Sequence, residues 1–229
     1  MEIYVLKISD IVEYKFNKLC SKIDKSKKLK IYKYINEKDR IRALIGEVLI
    51  RNIINKKLNL DNGCIEFEHN KYGKPHLKGH PYFNFNISHS EEYIVCAIDD
   101  KPIGIDIEAI KPVEYENIAK SFFSTSEYNY IHTAHGCIQL SRFYEVWTLK
   151  ESYIKCCGEG LSIPLNSFCI SIRENISVNS GNDRCIYTFR RFNIESGYKM
   201  AVCSLNEEIT NDIIIIDQNR LINEYLSVM

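Results

Sequence analysis

The stretch Ile103-Gly104-Ile105-Asp106-Ile107-Glu108 alternates with period two, as a β-strand does. On a strand, residues i and i+2 point to the same side. Ile105 and Ile107 are therefore expected to face the core, with Asp106 and Glu108 together on the outward side. Two carboxylates held this close repel each other unless a cation lies between them. Mg²⁺ suits such a pair, because it takes one or two carboxylates and completes its shell with phosphate oxygens and water. Taken alone, the pattern fits a solvated sheet edge equally well.

Further along, Phe143, Val146, Trp147, Leu149, Tyr153 and Ile154 supply an apolar face. This spacing predicts an amphipathic helix over 140–157, ended by Gly158 and Gly160. Within Trp147-Thr148-Leu149-Lys150-Glu151-Ser152-Tyr153-Ile154-Lys155, Glu151 and Lys155 stand at i and i+4, on one face. The plain reading is a surface ion pair worth a few tenths of a kcal/mol. Trp147 shares that face, which points to partial burial, and Lys150 stands beside Glu151. A carboxylate flanked by two lysines suits metal binding or proton transfer near phosphate.

Outward from these two motifs the chain reads as α+β. A strand is expected at 2–8 and a helix at 37–56, with Asn36 and Asp39 resembling a capping box. Strands follow at 83–87, 93–98 and 103–107, with a hairpin turn at 99–104. Helix is expected at 114–134, interrupted near Ser124. Strands near 167–173, 185–193, 198–204 and 213–216 precede a tail helix. Tyr93-Ile94-Val95-Cys96-Ala97 is echoed by Tyr198-Lys199-Met200-Ala201-Val202-Cys203, which suggests two similar halves packed as one unit.

Composition narrows the classes. The chain has 229 residues, enough to bury a substantial core. Lys+Arg and Asp+Glu both number 30, so a general nucleic-acid binder is disfavoured. The nine cysteines are odd in number and contain no C-x-x-C, which fits reduced thiols in a cytoplasmic protein better than disulfides or zinc. No signal peptide or membrane span is expected. Residues 22–33 nevertheless hold six lysines, either a solvated helix face or a phosphate-binding patch. His89 in Asn86-Ile87-Ser88-His89-Ser90 has serine hydroxyls on both sides, all potential phosphate donors. Lys74 in Tyr72-Gly73-Lys74-Pro75 sits on a stiff turn and reads as a surface lysine or a phosphate ligand. There is no Walker A loop, no G-x-G-x-x-G after a strand and no G-x-S-x-G elbow. Three acids, several lysines and a histidine suit a Mg²⁺-dependent reaction on a polyphosphate.

Together these motifs resemble the 4′-phosphopantetheinyl transferases of the surfactin-synthetase-activating (Sfp) type. The resemblance runs through Tyr72–Pro75, Asn86–Ser90, Ile103–Glu108, Phe122-Phe123-Ser124 and Trp147–Lys155, then Gly160–Leu165 and Gly197–Val202. It implies two pseudo-symmetric α/β halves in one pseudo-dimeric chain, expected at 1–105 and 106–229, with coenzyme A between them. It implies transfer of phosphopantetheine from coenzyme A to a serine of an apo peptidyl or acyl carrier protein, releasing adenosine 3′,5′-bisphosphate. Asp106, Glu108 and Glu151 are then expected to hold Mg²⁺ or Mn²⁺. Lys155 would stabilise the leaving bisphosphate, with Lys150 assisting, and Glu151 or a water on the metal would be the base. Lys27, Lys30, Arg42, Lys74, Ser88, His89 and Lys155 would clamp the phosphates. The first three match by charge and spacing alone. The carrier is expected to dock near Phe122 and Phe123 on a monomer.

Two other readings compete. A non-catalytic coenzyme A or carrier-binding module would tolerate loss of Asp106, Glu108 or Glu151, yet all three are present. Another nucleotide phosphotransferase would carry a phosphate loop, and none is seen.

Overall fold

A computed structural model describes residues 1–181 and 185–227, and within them the chain runs through one scheme twice. The first pass is β1 (Glu2–Lys7), short helices α1 (Glu13–Cys20) and α2 (Lys25–Lys33), and the long α3 (Glu37–Leu58). A small hairpin of β2 (Phe67–His69) and β3 (Pro75–Leu77) follows, then β4 (Asn84–Ser90) and β5 (Tyr93–Asp99). The second pass is β6 (Ile103–Ala109), short helices α4 (Tyr115–Phe122) and α5 (Thr125–His132), and the long α6 (Cys137–Cys157). A hairpin of β7 (Cys169–Ile172) and β8 (Ile176–Asn179) follows, then β9 (Thr188–Phe192) and β10 (Tyr198–Ser204). After the second pass come β11 (Ile214–Ile216) and α7 (Gln218–Ser227).

The sheets repeat as well. One is ordered β1-β5-β4 with β11 added outside β1, and the other β6-β10-β9. Apart from the parallel β1–β11 pair, every neighbour in them is antiparallel. The short sequence echo falls on β5 and β10, the middle strands of the repeated orders β1-β5-β4 and β6-β10-β9. Its two tyrosines, Tyr93 and Tyr198, meet edge to face with ring centroids 4.8 Å apart.

Alternation along the strands builds the layers. Tyr4, Leu6, Ile94 and Cys96 turn toward Leu44, Val48 and other residues of α3. Ile3, Val5, Val95 and Ala97 turn the other way and meet Ile105, Ile107, Met200 and Val202 of the second sheet. The far face of that sheet, with Ala201 and Cys203, is covered by Leu149 and Tyr153 of α6. The order is helix, sheet, sheet, helix. Each fully buried Ile or Leu in it contributes about 1.5–3 kcal/mol.

Several details differ from the sequence reading. The turn at 99–104 does not close a hairpin, because β5 pairs with β1 and β4 while β6 pairs with β10. Turn chemistry sets where the chain reverses; the need to bury Ile103, Ile105 and Ile107 between the sheets sets which strand it pairs with. The expected boundary between 105 and 106 runs through β6, and β11 and α7 pack back onto the first sheet and α3. Asn36 caps α3 by accepting from Lys38 N at 2.8 Å, but Asp39 turns to Arg42, so no capping box forms there. Ser124 and Glu127 form one instead, at the break between α4 and α5. No helix among the described residues is long and apolar enough to cross a membrane.

Candidate active site

Gly104 faces α6, and the helix lies against it. A Cβ built on Gly104 would stand 2.0 Å from Ser152 O and 2.4 Å from Cys156 N. Only glycine lets the helix backbone rest on the strand at this distance. The contact brings Glu151 and Lys155, one turn apart on α6 and next in sequence to Ser152 and Cys156, over the side of β6 that carries Asp106 and Glu108. The two carboxylates do share a side, but that side is roofed by α6 rather than open to water, and Asp106 is 3 % exposed.

Lys155 Nζ lies 2.6 Å from Asp106 Oδ1 and donates to Ser88 Oγ at 2.9 Å. Ser88 Oγ in turn donates to Asp106 Oδ1 at 2.9 Å. Asp106 Oδ2 is buried with no hydrogen-bond partner. One strand step away, Ser90 Oγ donates to Glu108 Oε2 at 2.9 Å. Ser88 and Ser90 belong to β4, so the seam between the two halves runs through the cluster.

Burial and mutual repulsion govern the electrostatics. Burial raises the Asp106 carboxyl above its ordinary range, against the pull of Lys155 and Ser88. Burial and then the Asp106 charge push Glu108 up to about 7. Glu151 is raised by the same two causes, with Lys155 opposing. Glu108 and Glu151 both sense the negative charge of Asp106, so the set is short of positive charge.

Those observations test the fit of a divalent cation. No three His, Cys, Asp or Glu side chains among the described residues converge as a ready-made centre. Lys155 is the cation that meets Asp106 here. The orphaned Asp106 Oδ2 and the mutual repulsion of Asp106, Glu108 and Glu151 nevertheless leave an oxygen donor set suited to Mg²⁺ or Mn²⁺.

The cationic residues divide into two groups. His89 is exposed, and its imidazole pKa is lowered by desolvation and then by the charges of Arg42 and Lys155. The imidazole is therefore held neutral near pH 7, and Arg42 and Lys155 carry the positive charge beside it. Arg42 is itself braced by Asp39 and by Glu91 O. Lys27 pairs with Glu47 at 3.2 Å, and with Lys30 and Ser26 it lines a cavity of about 330 Å³. His69, Pro75 and Phe85 form the other wall of that cavity.

Lys74 and Lys150 stand elsewhere than expected. The Lys74 ammonium donates to Lys155 O at 2.5 Å, Ile103 O at 3.0 Å and Cys156 O at 3.4 Å. It caps the C-terminal end of α6, where a cation is favoured, instead of presenting itself to a phosphate. Lys150 is fully buried, donates to Glu127 Oε1 and Oε2 at 2.7 and 2.9 Å, and donates to Phe168 O at 2.9 Å. An ammonium has three N–H donors, and all are committed on the side of α6 away from Asp106. Assistance in catalysis by direct contact is not what this geometry offers; Lys150 holds α5 and β7 to α6. Lys150→Met leaves the Glu127 carboxylate buried without its partner and is expected to destabilise the fold by about 3–5 kcal/mol. Thermal unfolding checks this, and an unchanged melting temperature would remove the structural role.

Glu127, Gly104 and Ser90 are site-supporting residues whose part the motif reading missed. Glu127 was legible as the end of Ser124-x-x-Glu127, a capping-box pattern. Its buried pairing with Lys150 was not, because nothing local links residues 23 apart. The aromatic pair divides: Phe122 is 46 % exposed, whereas Phe123 is buried against Phe143 and Trp147.

Two like α/β halves, with carboxylates and cations gathered at their seam, define a pseudo-dimeric protein of α+β architecture. Residues 102–203 match the family described as the 4′-phosphopantetheinyl transferase superfamily, and residues 11–101 match the description 4′-phosphopantetheinyl transferase, N-terminal. The 4′-phosphopantetheinyl transferase Sfp of Bacillus subtilis (strain 168) is 37 % identical over 202 residues, covering 87 % of this chain and 90 % of that protein. The 4′-phosphopantetheinyl transferase gsp of Aneurinibacillus migulanus is 41 % identical over 207 residues, covering 89 % and 85 %. The L-aminoadipate-semialdehyde dehydrogenase-phosphopantetheinyl transferase of Mus musculus is 30 % identical over 204 residues, covering 79 % and 66 %. The chain belongs to the 4′-phosphopantetheinyl transferase superfamily.

Proposed function

We propose that this chain transfers the 4′-phosphopantetheine arm of coenzyme A to a serine hydroxyl of an apo carrier protein, in a reaction dependent on Mg²⁺. The observation that carries the reading is the cluster at the seam: Asp106, Glu108 and Glu151 beside Lys155 and His89. The serine oxygen attacks the phosphorus that bears the pantetheine arm, and the bond from that phosphorus to the bridging oxygen breaks. Adenosine 3′,5′-bisphosphate leaves. Catalysis of such a step is mainly positioning and charge stabilisation.

Asp106, Glu108 and Glu151 would hold the metal, which supplies charge neutralisation at the pyrophosphate. Lys155, once released from Asp106, meets the negative charge that develops on the leaving bisphosphate. Glu151, where it is not engaged as a ligand, or a water on the metal would accept the serine proton. His89 and Arg42 flank the phosphates, while Lys27 and Lys30 in the neighbouring cavity receive the 3′-phosphate; Ser88, expected among the phosphate ligands, gives its one proton to Asp106 and braces that carboxylate instead. The first half thus binds coenzyme A, and the second carries the metal and the chemistry. Phe122 anchors the carrier through its exposed ring, with Phe123 supporting it from the core. A carrier of the nonribosomal peptide or polyketide type is the substrate class. Both halves lie in one chain, which supports a monomer. The buried thiols of Cys20, Cys96, Cys156 and Cys203 support a reducing, cytoplasmic setting.

Intact mass of an apo peptidyl carrier protein, after incubation with this protein, coenzyme A and Mg²⁺, tests the reading. A gain of one phosphopantetheine group is expected. It should vanish with EDTA and when the carrier serine is replaced by alanine. No gain on peptidyl or acyl carriers, with coenzyme A still bound, would turn the reading to a binding module.

A further inference from the structure

We propose that Ser90 is a positioning residue that sets the affinity of the acidic cluster for its divalent cation by orienting Glu108. The inference deepens the metal reading above and rests on it.

β6 is the edge strand of its sheet, so its outward N–H groups need partners from elsewhere. Side chains of β4 supply two of them. Ile105 N donates to Asn86 Oδ1 at 2.9 Å, and Ala109 N donates to Ser90 Oγ at 3.0 Å. Asn86, Ser88 and Ser90 stand at i, i+2 and i+4 of β4, all facing the seam. The two serines therefore repeat the spacing of Asp106 and Glu108 across from them.

The Ser90 hydroxyl has a single proton. Its oxygen accepts from Ala109 N, and its proton goes to Glu108 Oε2 at 2.9 Å. The hydroxyl is thus held by the backbone of the same strand that carries Glu108, and it pins one carboxylate oxygen. The other oxygen is left for a cation. Glu108 and Ser90 are both only half-buried, so the bond helps to select the rotamer of the glutamate. The same count of protons denies Ser90 a role as phosphate donor, which its place beside His89 had suggested.

Binding of Mn²⁺ to the coenzyme-free protein, followed by its electron paramagnetic resonance signal, tests this apart from turnover. Ser90→Ala is expected to weaken Mn²⁺ binding by about 10–100-fold, the range for partners that orient a metal ligand. Ser90→Thr, which keeps the hydroxyl, should restore it, and Ser90→Cys, a weaker donor of similar size, should fall between. In a Glu108→Ala background, Ser90→Ala should cost nothing more. Wild-type Mn²⁺ affinity in Ser90→Ala would overturn the proposal. An equal loss in the Glu108→Ala background, or no rescue by threonine, would also overturn it, since either marks a general effect on the seam. Should Ser90→Ala fail to fold, the comparison of Ser90→Thr with Ser90→Cys decides alone. A wild-type protein that binds no Mn²⁺ would instead overturn the metal reading itself, and the role of Ser90 with it.

Discussion

Asp106→Asn is expected to lower kcat/KM for carrier modification by about 10³-fold or more, while the metal-free protein melts at the wild-type temperature or above it. The loss follows from the size of the effect the carboxylate supports. Metal-assisted charge neutralisation contributes several kcal/mol, and each 1.36 kcal/mol is about tenfold in rate. The stability side has the opposite sign. Asp106 is 3 % exposed, and its Oδ2 has no hydrogen-bond partner. A buried oxygen left unsatisfied costs about 1–3 kcal/mol, more when charged. Asparagine keeps the shape, keeps an acceptor for Ser88 and removes the charge; Lys155, 26 % exposed, can turn to water. Activity and stability are therefore expected to part company at this position, as they do at sites shaped for function. Steady-state kinetics with a carrier protein and a thermal melt check both halves. Near-normal turnover would remove Asp106 from the proposed metal site. A large drop in melting temperature would show that its ion pair with Lys155 outweighs its burial.

Gly104→Ala is expected to destabilise the protein by about 3 kcal/mol, at the upper end for overpacking, and to lower turnover by about 10²-fold in the molecules that still fold. The added Cβ would lie 2.0 Å from Ser152 O, 2.4 Å from Cys156 N and 2.9 Å from Lys155 C. All three are backbone atoms, so no side chain can swing aside, and α6 itself must retreat. Glu151 and Lys155 retreat with it, and a displacement near 1 Å at catalytic groups costs about two orders of magnitude. Gly46→Ala, on the long helix of the other half, is the control. Its Cβ would meet only Ile87 Cγ2, at 3.9 Å, so it is expected to be tolerated. A wild-type melt and wild-type kinetics for Gly104→Ala would show that α6 does not need this contact to hold its register.

Much was legible without coordinates, and for a definite reason. Period-two alternation in Ile103–Glu108 and helical spacing in 140–157 are local properties, so they announce both elements and put Asp106 with Glu108 and Glu151 with Lys155. The echo of Tyr93–Ala97 in Tyr198–Cys203 was enough to suggest two halves, because related strands in the middle of two sheets face the same demands. Sequence spacing carries no information about which face is roofed. It left the two carboxylates facing outward, where the fold covers them with α6 and leaves Asp106 Oδ2 without a partner.

The lysines show the division most clearly. Lys74, Lys150 and Lys155 all lie in motifs that suit phosphate chemistry, and charge and neighbours in sequence do not distinguish them. Packing does. Lys74 is drawn to the open carbonyls at the end of α6, Lys150 to the buried Glu127, and Lys155 alone reaches the Asp106 carboxylate. The sequence by itself determined the elements, the α+β class and the chemical types at the site, since those follow from local periodicity and side-chain chemistry. Only the tertiary structure decided which cations face the carboxylates and which serine holds which oxygen. A hydrogen bond or an ion pair across the seam of two halves is settled by long-range packing, and that packing rests on contacts between residues far apart in the chain.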